Sequence, residues 1–193
     1  AYNQHTPVVK IDSGKEVSLI GNGFDGEGNA FYVFEVENVT AHDKILVDDM
    51  TKNTYSAALP FETDEQGRVK YKVVNENADE NNVVNGIVYG TDLVFSVDLH
   101  EQYNRSKVVV KYDGKVLEPT GKIYTIKNVT HNIGIDETDP KITVEGVELN
   151  HYYITLPLET ETGFVIEVAD GLNAKSVLSG TDFGFRFFLD PAY

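Results

Sequence analysis

Lys107-Val108-Val109-Val110-Lys111-Tyr112-Asp113-Gly114-Lys115-Val116-Leu117 is the stretch that decides the fold class. A β-branched run leads into Asp-Gly and a second run leads out. Asp-Gly between such runs predicts a type I′ hairpin, because that turn needs positive φ at both central residues. Pro119 ends the second run, since it cannot donate to a ladder. Downstream, Lys122–Ile126 and Lys141–Glu145 read as further strands, and so do Tyr152–Leu156, Phe164–Val168 and Phe183–Leu189. The last alternates around Arg186. No stretch carries an i, i+3, i+4, i+7 apolar stripe of helical length. The chain reads as all-β, with about seven short strands in each half.

The halves are repeats. Phe34-Glu35-Val36-Glu37-Asn38-Val39-Thr40 recurs as Tyr124-Thr125-Ile126-Lys127-Asn128-Val129-Thr130. Gly90-Thr91-Asp92-Leu93-Val94-Phe95, with Leu99 and Tyr103, recurs as Gly180-Thr181-Asp182-Phe183-Gly184-Phe185, with Leu189 and Tyr193. Asn53, Tyr55 and Leu59-Pro60 match Asn150, Tyr152 and Leu156-Pro157. Val8-Val9-Lys10, with Asp12 and Gly14, matches Val109-Val110-Lys111, with Asp113 and Gly114. Four blocks in one order, at a period of about 95 residues, describe a tandem array of small domains rather than a solenoid. Two cuts are compatible with the blocks. Tyr2, Tyr103 and Tyr193 hold equivalent places, which favours whole repeats at 1–102 and 103–193. The alternative starts a unit just before the Leu-Pro strand, so that 53–149 is complete and flanked by two half domains. Residues 150–193 of one molecule would then complete residues 1–52 of another by strand exchange.

Composition narrows the function. The 193 residues include 31 acidic and 16 basic side chains, for a net charge of −15. That excess argues against nucleic acid, whose binding draws on a basic stripe, and against adsorption to anionic membranes. No apolar run approaches the roughly 20 residues of a membrane-spanning helix. With no cysteine, disulfides, thiolate nucleophiles and iron–sulfur clusters are excluded. No signal-peptide pattern stands at Ala1, so any leader is expected to lie outside this sequence.

Seven strands in about 95 residues match the size of a two-sheet sandwich. The order of Tyr153-Ile154-Thr155-Leu156-Pro157, Gly163-Phe164, Tyr124-Thr125-Ile126-Lys127-Asn128-Val129-Thr130 and Ile142-Thr143-Val144-Glu145-Gly146-Val147 resembles the tandem immunoglobulin-like repeats of Firmicutes (Gram-positive) cell-surface proteins. The likeness spans nearly all of the second repeat and is weaker in the first, where Gly21–Asn29 reads as an insertion. The resemblance implies two tandem immunoglobulin-like antiparallel β-sandwich domains. It further implies an extracellular place on a bacterial cell surface, and a structural stalk or adhesin role with no enzymatic activity. Partners on this reading are host or cell-wall glycan or protein, or further copies in self-assembly. Such sandwiches also host Lys–Asn isopeptide crosslinks, which need a buried Lys, Asn and carboxylate together.

Candidate sites are sparse, and no catalytic, cofactor or metal residue is assigned. In Gly21–Asn29, Asp25, Glu27 and Asn29 alternate with glycine as a hard cation such as calcium could use. The twelve-residue loop with its terminal bidentate Glu is missing, and a glycine-rich hairpin connection is the simpler reading. Asp136-Glu137-Thr138-Asp139 and Asn75–Asn82 read as solvated acidic loops. His5, His42, His100, His131 and His151 lack metal-ligand spacing and read as turn residues. Asn38-Val39-Thr40, Asn104-Arg105-Ser106 and Asn128-Val129-Thr130 fit the glycosylation triplet, but the repeated pair reads better as a turn in which Asn takes the left-handed conformation. Leu117-Glu118-Pro119-Thr120-Gly121 resembles a sortase signal but has Glu in the second place and reads as a hairpin exit. Tyr2, Tyr55, Tyr103, Tyr152, Tyr153 and Tyr193 are either a sugar-stacking platform or core padding with hydroxyls reaching solvent.

Overall fold

The computed structural model describes residues 6–48, 50–157 and 164–189. The chain is all-β, and its strand ladders are antiparallel. It divides into two compact units that interleave in sequence.

The first unit comprises Ala1–Ala58, Asn77–Leu93 and Ile126–Asp139. β1 (Val8–Ile11) pairs with β4 (Ile45–Asp48). β2 (Ser18–Phe24) pairs with β3 (Ala30–Glu35), with a bulge between Leu19 and Gly21. β5 (Thr54–Ala58) pairs with β8 (Val83–Val88), again with a bulge. Ile133 lies along β5: its amide donates to the Ser56 carbonyl (2.9 Å), and its carbonyl accepts from Ala58 (2.8 Å). The unit buries Ala57, Val84, Ile87, Leu93, Val129 and Ile133.

The second unit comprises Leu59–Glu76, Val94–Thr125 and Pro140–Tyr193. A four-stranded sheet runs in the order β12-β9-β7-β6. Its strands are β12 (Ile123–Ile126), β9 (Leu93–Leu99), β7 (Val69–Val74) and β6 (Phe61–Thr63). A three-stranded sheet runs β11-β10-β13, from Lys115–Val116, Val109–Tyr112 and Ile142–Glu145. Two ladders follow: β14 (His151–Tyr152) with β16 (Val177–Leu178), and β15 (Phe164–Val168) with β17 (Phe185–Leu189). Tyr71 and Val73 are buried on alternate positions of β7, and Ile142 and Val144 on β13. The period of two puts each pair on one face. Phe95 and Tyr124 stack at 5.7 Å between centroids, with 16° between planes.

The Asp-Gly turn forms as expected: Asp113 has φ 49° and Gly114 φ 72°, and Tyr112 pairs with Lys115 across it. β15 has its expected bounds. Two expectations fail. Of Tyr152–Leu156 only Tyr152 lies in a strand, β14. Its counterpart β5 is held on both edges, by β8 and by Ile133, whereas Tyr153–Leu156 gains one backbone bond among the described residues, from the Ile154 amide to the Ala174 carbonyl. The count of seven strands per half also differs. Among the described residues, β1 to β9 precede residue 103 and β10 to β17 follow it. The two-residue ladders β11, β14 and β16 come from backbone pairing that residue type does not announce.

Candidate functional site

The Gly21–Asn29 loop is a hairpin tip. Gly21 and Gly23 lie inside β2, and Asp25 organises the turn. Its Oδ1 accepts the amides of Glu27 (2.9 Å) and Asn29 (2.7 Å), and its Oδ2 accepts the Asn29 side-chain amide (3.0 Å). Gly28 closes the turn at φ 83°. The Asn29 side-chain bond, followed by the backbone amides, holds the Asp25 carboxyl below its ordinary value.

The same turn occurs twice more. Asp64 Oδ1 accepts the amides of Gln66 and Arg68, with Gly67 at φ 78°. Asp79 Oδ1 accepts the amides of Asn81 and Val83, with Asn82 at φ 61°. An aspartate that caps its own five-residue turn spends its lone pairs on backbone donors. Asp25, Asp64 and Asp79 are therefore turn-forming residues. Asp139 does the same work in its acidic loop, accepting the amides of Ile135 and Asp136.

The histidines do not converge. His42, His131 and His151 are exposed. His151 Nδ1 meets Ser176 Oγ at 2.7 Å, and His131 Nδ1 meets Thr130 Oγ1 at 3.1 Å. His100 sits edge-on to Tyr103. His5, Tyr2 and Tyr193 lie outside the described residues. Among the described residues no three His, Asp or Glu side chains are grouped to hold a metal ion. The buried polar residues among those described are Asn53, Asn82 and Asn150, so no described lysine is buried beside an asparagine as an isopeptide crosslink requires.

The tyrosines divide. Tyr103 is a core residue, and its hydroxyl donates to Asp64 Oδ2 at 3.2 Å. Tyr55 and Tyr89 form a tilted pair. Tyr152 is stacked beneath the Arg105 guanidinium at 4.7 Å. Tyr153 projects into solvent, 80% exposed.

Several repeated positions share local geometry, although Phe95 is buried and its counterpart Phe185 is exposed. Asn38 and Asn128 have φ 51° and 53°. Gly90 and Gly180 have φ 83° and 77°. The hydroxyl of Thr91 donates to the Val88 carbonyl (2.7 Å), and that of Thr181 to the Leu178 carbonyl (2.8 Å). Lys10 bridges to Asp48 across β1–β4 as Lys111 bridges to Glu145 across β10–β13. The Asn53 carbonyl accepts from Tyr89 and the Asn150 carbonyl from Ser179, each at 2.8 Å.

Sequence reasoning marked Asn150 only as a repeat position. It is in fact a buried clasp within the second unit. Its side chain donates to the Glu101 carbonyl (2.7 Å) and to Asn104 Oδ1 (3.1 Å), and accepts the Arg105 amide (3.0 Å). Beside it lies an open pocket of about 430 Å³ between Arg105–Lys107 and Gly146–His151. The first unit has an apolar groove of about 340 Å³, lined by residues that include Val9, Phe31, Phe34, Val47 and Met50. No protein-family model, curated protein or solved structure matches the chain.

Proposed function

We propose that the chain is a non-enzymatic structural segment of an extracellular bacterial surface protein, built from tandem immunoglobulin-like β-sandwich repeats. The observation that carries this reading is the equivalence of the repeated residues. What recurs is what holds strands and turns: the left-handed Asn38 and Asn128, the Thr91 and Thr181 hydroxyl caps, and the Lys10–Asp48 and Lys111–Glu145 cross-strand pairs. A segment whose recurring side chains serve its own backbone is suited to repetition and to bearing load. The net charge of −15 keeps such a stalk soluble and apart from its neighbours.

Burial favours the cut at 53–149. All the buried hydrophobic residues among those described, except Ile11, fall between Ala57 and Val144. Pulling the chain by its ends tests both points. One cooperative event releasing about 330 Å of extended chain supports a load-bearing 53–149 unit. Two events of similar length restore the cut at 102, and extension without a cooperative event overturns the reading. Protease treatment of intact cells tests the location: peptides from this chain are expected in the released fraction.

The second reading is an adhesin that holds carbohydrate or host protein by loops of the first repeat. Phe24, 68% exposed at the tip of the β2–β3 hairpin, favours it. On that reading Phe24→Ala abolishes adhesion of coated beads to host cells and leaves the unfolding force unchanged.

A further inference from the structure

Arg105, Lys107 and His151 line one pocket in a chain whose net charge is −15. The pocket holds about 430 Å³ and is lined by residues of the second unit. Its two walls, Arg105–Lys107 and Gly146–His151, are tied together. Ser106 Oγ donates to the Glu148 carbonyl (2.8 Å) and accepts the Glu148 amide (2.9 Å). The Asn150 side chain accepts the Arg105 amide (3.0 Å), and Gly146 lies close against the Lys107 carbonyl. The basic side chains are positioned too. Arg105 Cζ lies 4.7 Å over the Tyr152 ring. The ring covers one face of the guanidinium and leaves its N–H edge for an acceptor; one N–H reaches the His151 carbonyl at 3.5 Å. Ser176 Oγ engages His151 Nδ1 at 2.7 Å, which leaves Nε2 for a ligand. Among the described residues, Lys10, Arg68, Lys70, Lys111 and Lys127 pair with carboxylates, and Arg105 and Lys107 do not. The repeat separates framework from pocket. Asn150 and Tyr152 recur as Asn53 and Tyr55, but Arg105, Lys107 and His151 stand where the first repeat has Gln4, Thr6 and Thr54. The asparagine belongs to the framework, and the three basic side chains are particular to the second repeat.

We propose that this pocket binds an acidic saccharide of the uronate type, its carboxylate held by Arg105 and Lys107 and its ring hydroxyls by Glu148 and His151. A guanidinium presents paired N–H groups that match a carboxylate, and a neighbouring ammonium adds charge without a fixed direction. Glu148 sets the class of ligand. It lines the same pocket, and while Ser106 engages its backbone, no described residue engages its carboxylate. That carboxylate accepts hydroxyl protons from a bound ring and repels a ligand that is anionic throughout. A uronate, with one carboxylate among several hydroxyls, suits both groups, and a run of acidic peptide side chains does not. The volume falls in the range of about 300–1,000 Å³ common to small-molecule sites. The site goes beyond the load-bearing reading and does not depend on it, since pulling reads the fold and binding reads this pocket.

The test titrates the full chain with sodium glucuronate, glucose, acetate and triglutamate, and follows its backbone amides by NMR. Glucuronate is expected to shift the amides of Arg105, Lys107, Asn150 and His151 saturably. Glucose lacks the carboxylate and acetate lacks the hydroxyls, so each is expected to bind at least about tenfold more weakly. Arg105→Gln and Lys107→Gln are each expected to weaken glucuronate binding by about tenfold or more, since each removes a bond to a charged group. Lys115→Gln removes the same charge from an exposed position in β11, outside the pocket, and is expected to change the affinity less than about twofold. Lys107→Gln keeps the test sharp if loss of the Tyr152 contact unfolds Arg105→Gln. Glucuronate that shifts no pocket amide overturns the proposal. So does an equal loss in Lys115→Gln, which reduces the effect to diffuse charge. Acetate that binds as tightly as glucuronate removes the saccharide, and triglutamate that does so assigns the pocket to acidic peptides; either result overturns the proposal as well.

Discussion

Asn128 adopts φ 53° and Asn38 φ 51°, a region that costs most L-residues about 1–2 kcal/mol. Asn enters it cheaply because its side chain bonds locally, and Gly enters it freely. Asn128→Gly should therefore change stability little, whereas Asn128→Ala should lower it by about 1 kcal/mol in urea unfolding. Both variants lose the amide, so their difference isolates the backbone. Gly146 is stricter. At φ 76° an added Cβ would lie 2.6 Å from the Lys107 carbonyl oxygen, a backbone atom that cannot step aside. Gly146→Ala is expected to cost more than Asn128→Ala by the same measurement. Asn150→Ala removes a side chain that serves Glu101, Asn104 and Arg105 from a 3% exposed position. Leaving those groups without a partner should cost about 2 kcal/mol. The left-handed asparagines were legible because the Asn-Val-Thr block recurs after a strand in both repeats. The burial of Asn150 was not, because a buried and an exposed asparagine look alike until the chain that wraps them is known.

At the level of the element, the strongest local signals held. Asp113-Gly114 fixed a hairpin because few other residue pairs take two positive φ angles in succession. Phe164–Val168 fixed a strand because its residue types suit a pleated surface. Tyr152–Leu156 has the same residue types and is mostly irregular, since a strand also needs an edge to pair with, and pairing is non-local. The sequence reads Asp79 as part of a solvated acidic loop and Asp25 as part of a glycine-rich connection, and does not single out Asp64, because charge and glycine are visible in a sequence and the direction of a carboxylate is not. The function of these aspartates in the hairpins predicts an order of sensitivity. Asp64 also holds the Arg68 guanidinium at 2.7 Å and the Tyr103 hydroxyl, so Asp64→Ala should destabilise more than Asp25→Ala. The cross-strand pair Lys111–Glu145 is solvated, at 28% and 55% exposure. Lys111→Ala should cost less than about 1 kcal/mol, and molar salt should remove the difference from wild type.

For the whole molecule, the titrating groups set a pH window. Asp25, Asp43 and Asp92 are held below their ordinary value of 3.8 by hydrogen bonds, chiefly from Asn29, Ser13 and Lys127 respectively. At Asp64 desolvation pushes upward, but the Arg68 and Tyr103 bonds outweigh it and the net direction is down. Carboxyls with depressed folded values add stability that is complete above the unfolded value and drains away as the pH falls through the folded one. At the alkaline end, burial raises the phenols of Tyr71, Tyr103 and Tyr124 above 10.0, and at Tyr103 the Asp64 carboxylate adds to it. A raised phenol favours the neutral form in the fold, so its contribution is complete below the unfolded value and is lost as the pH rises through the folded one. The net charge of −15 grows more negative in the same range, and self-repulsion works in the same direction. Urea midpoints should therefore form a plateau between about pH 4 and pH 10, with a fall on each side. Tyr103→Phe separates the two alkaline causes. It removes an ionisable group and one hydrogen bond, so it should lower the plateau by about 1 kcal/mol and make the fall above pH 10 shallower. If the fall keeps its slope in that variant but flattens in molar salt, the cause is repulsion among the surface carboxylates as the lysines lose their offsetting charge, and the Tyr103 phenol is not.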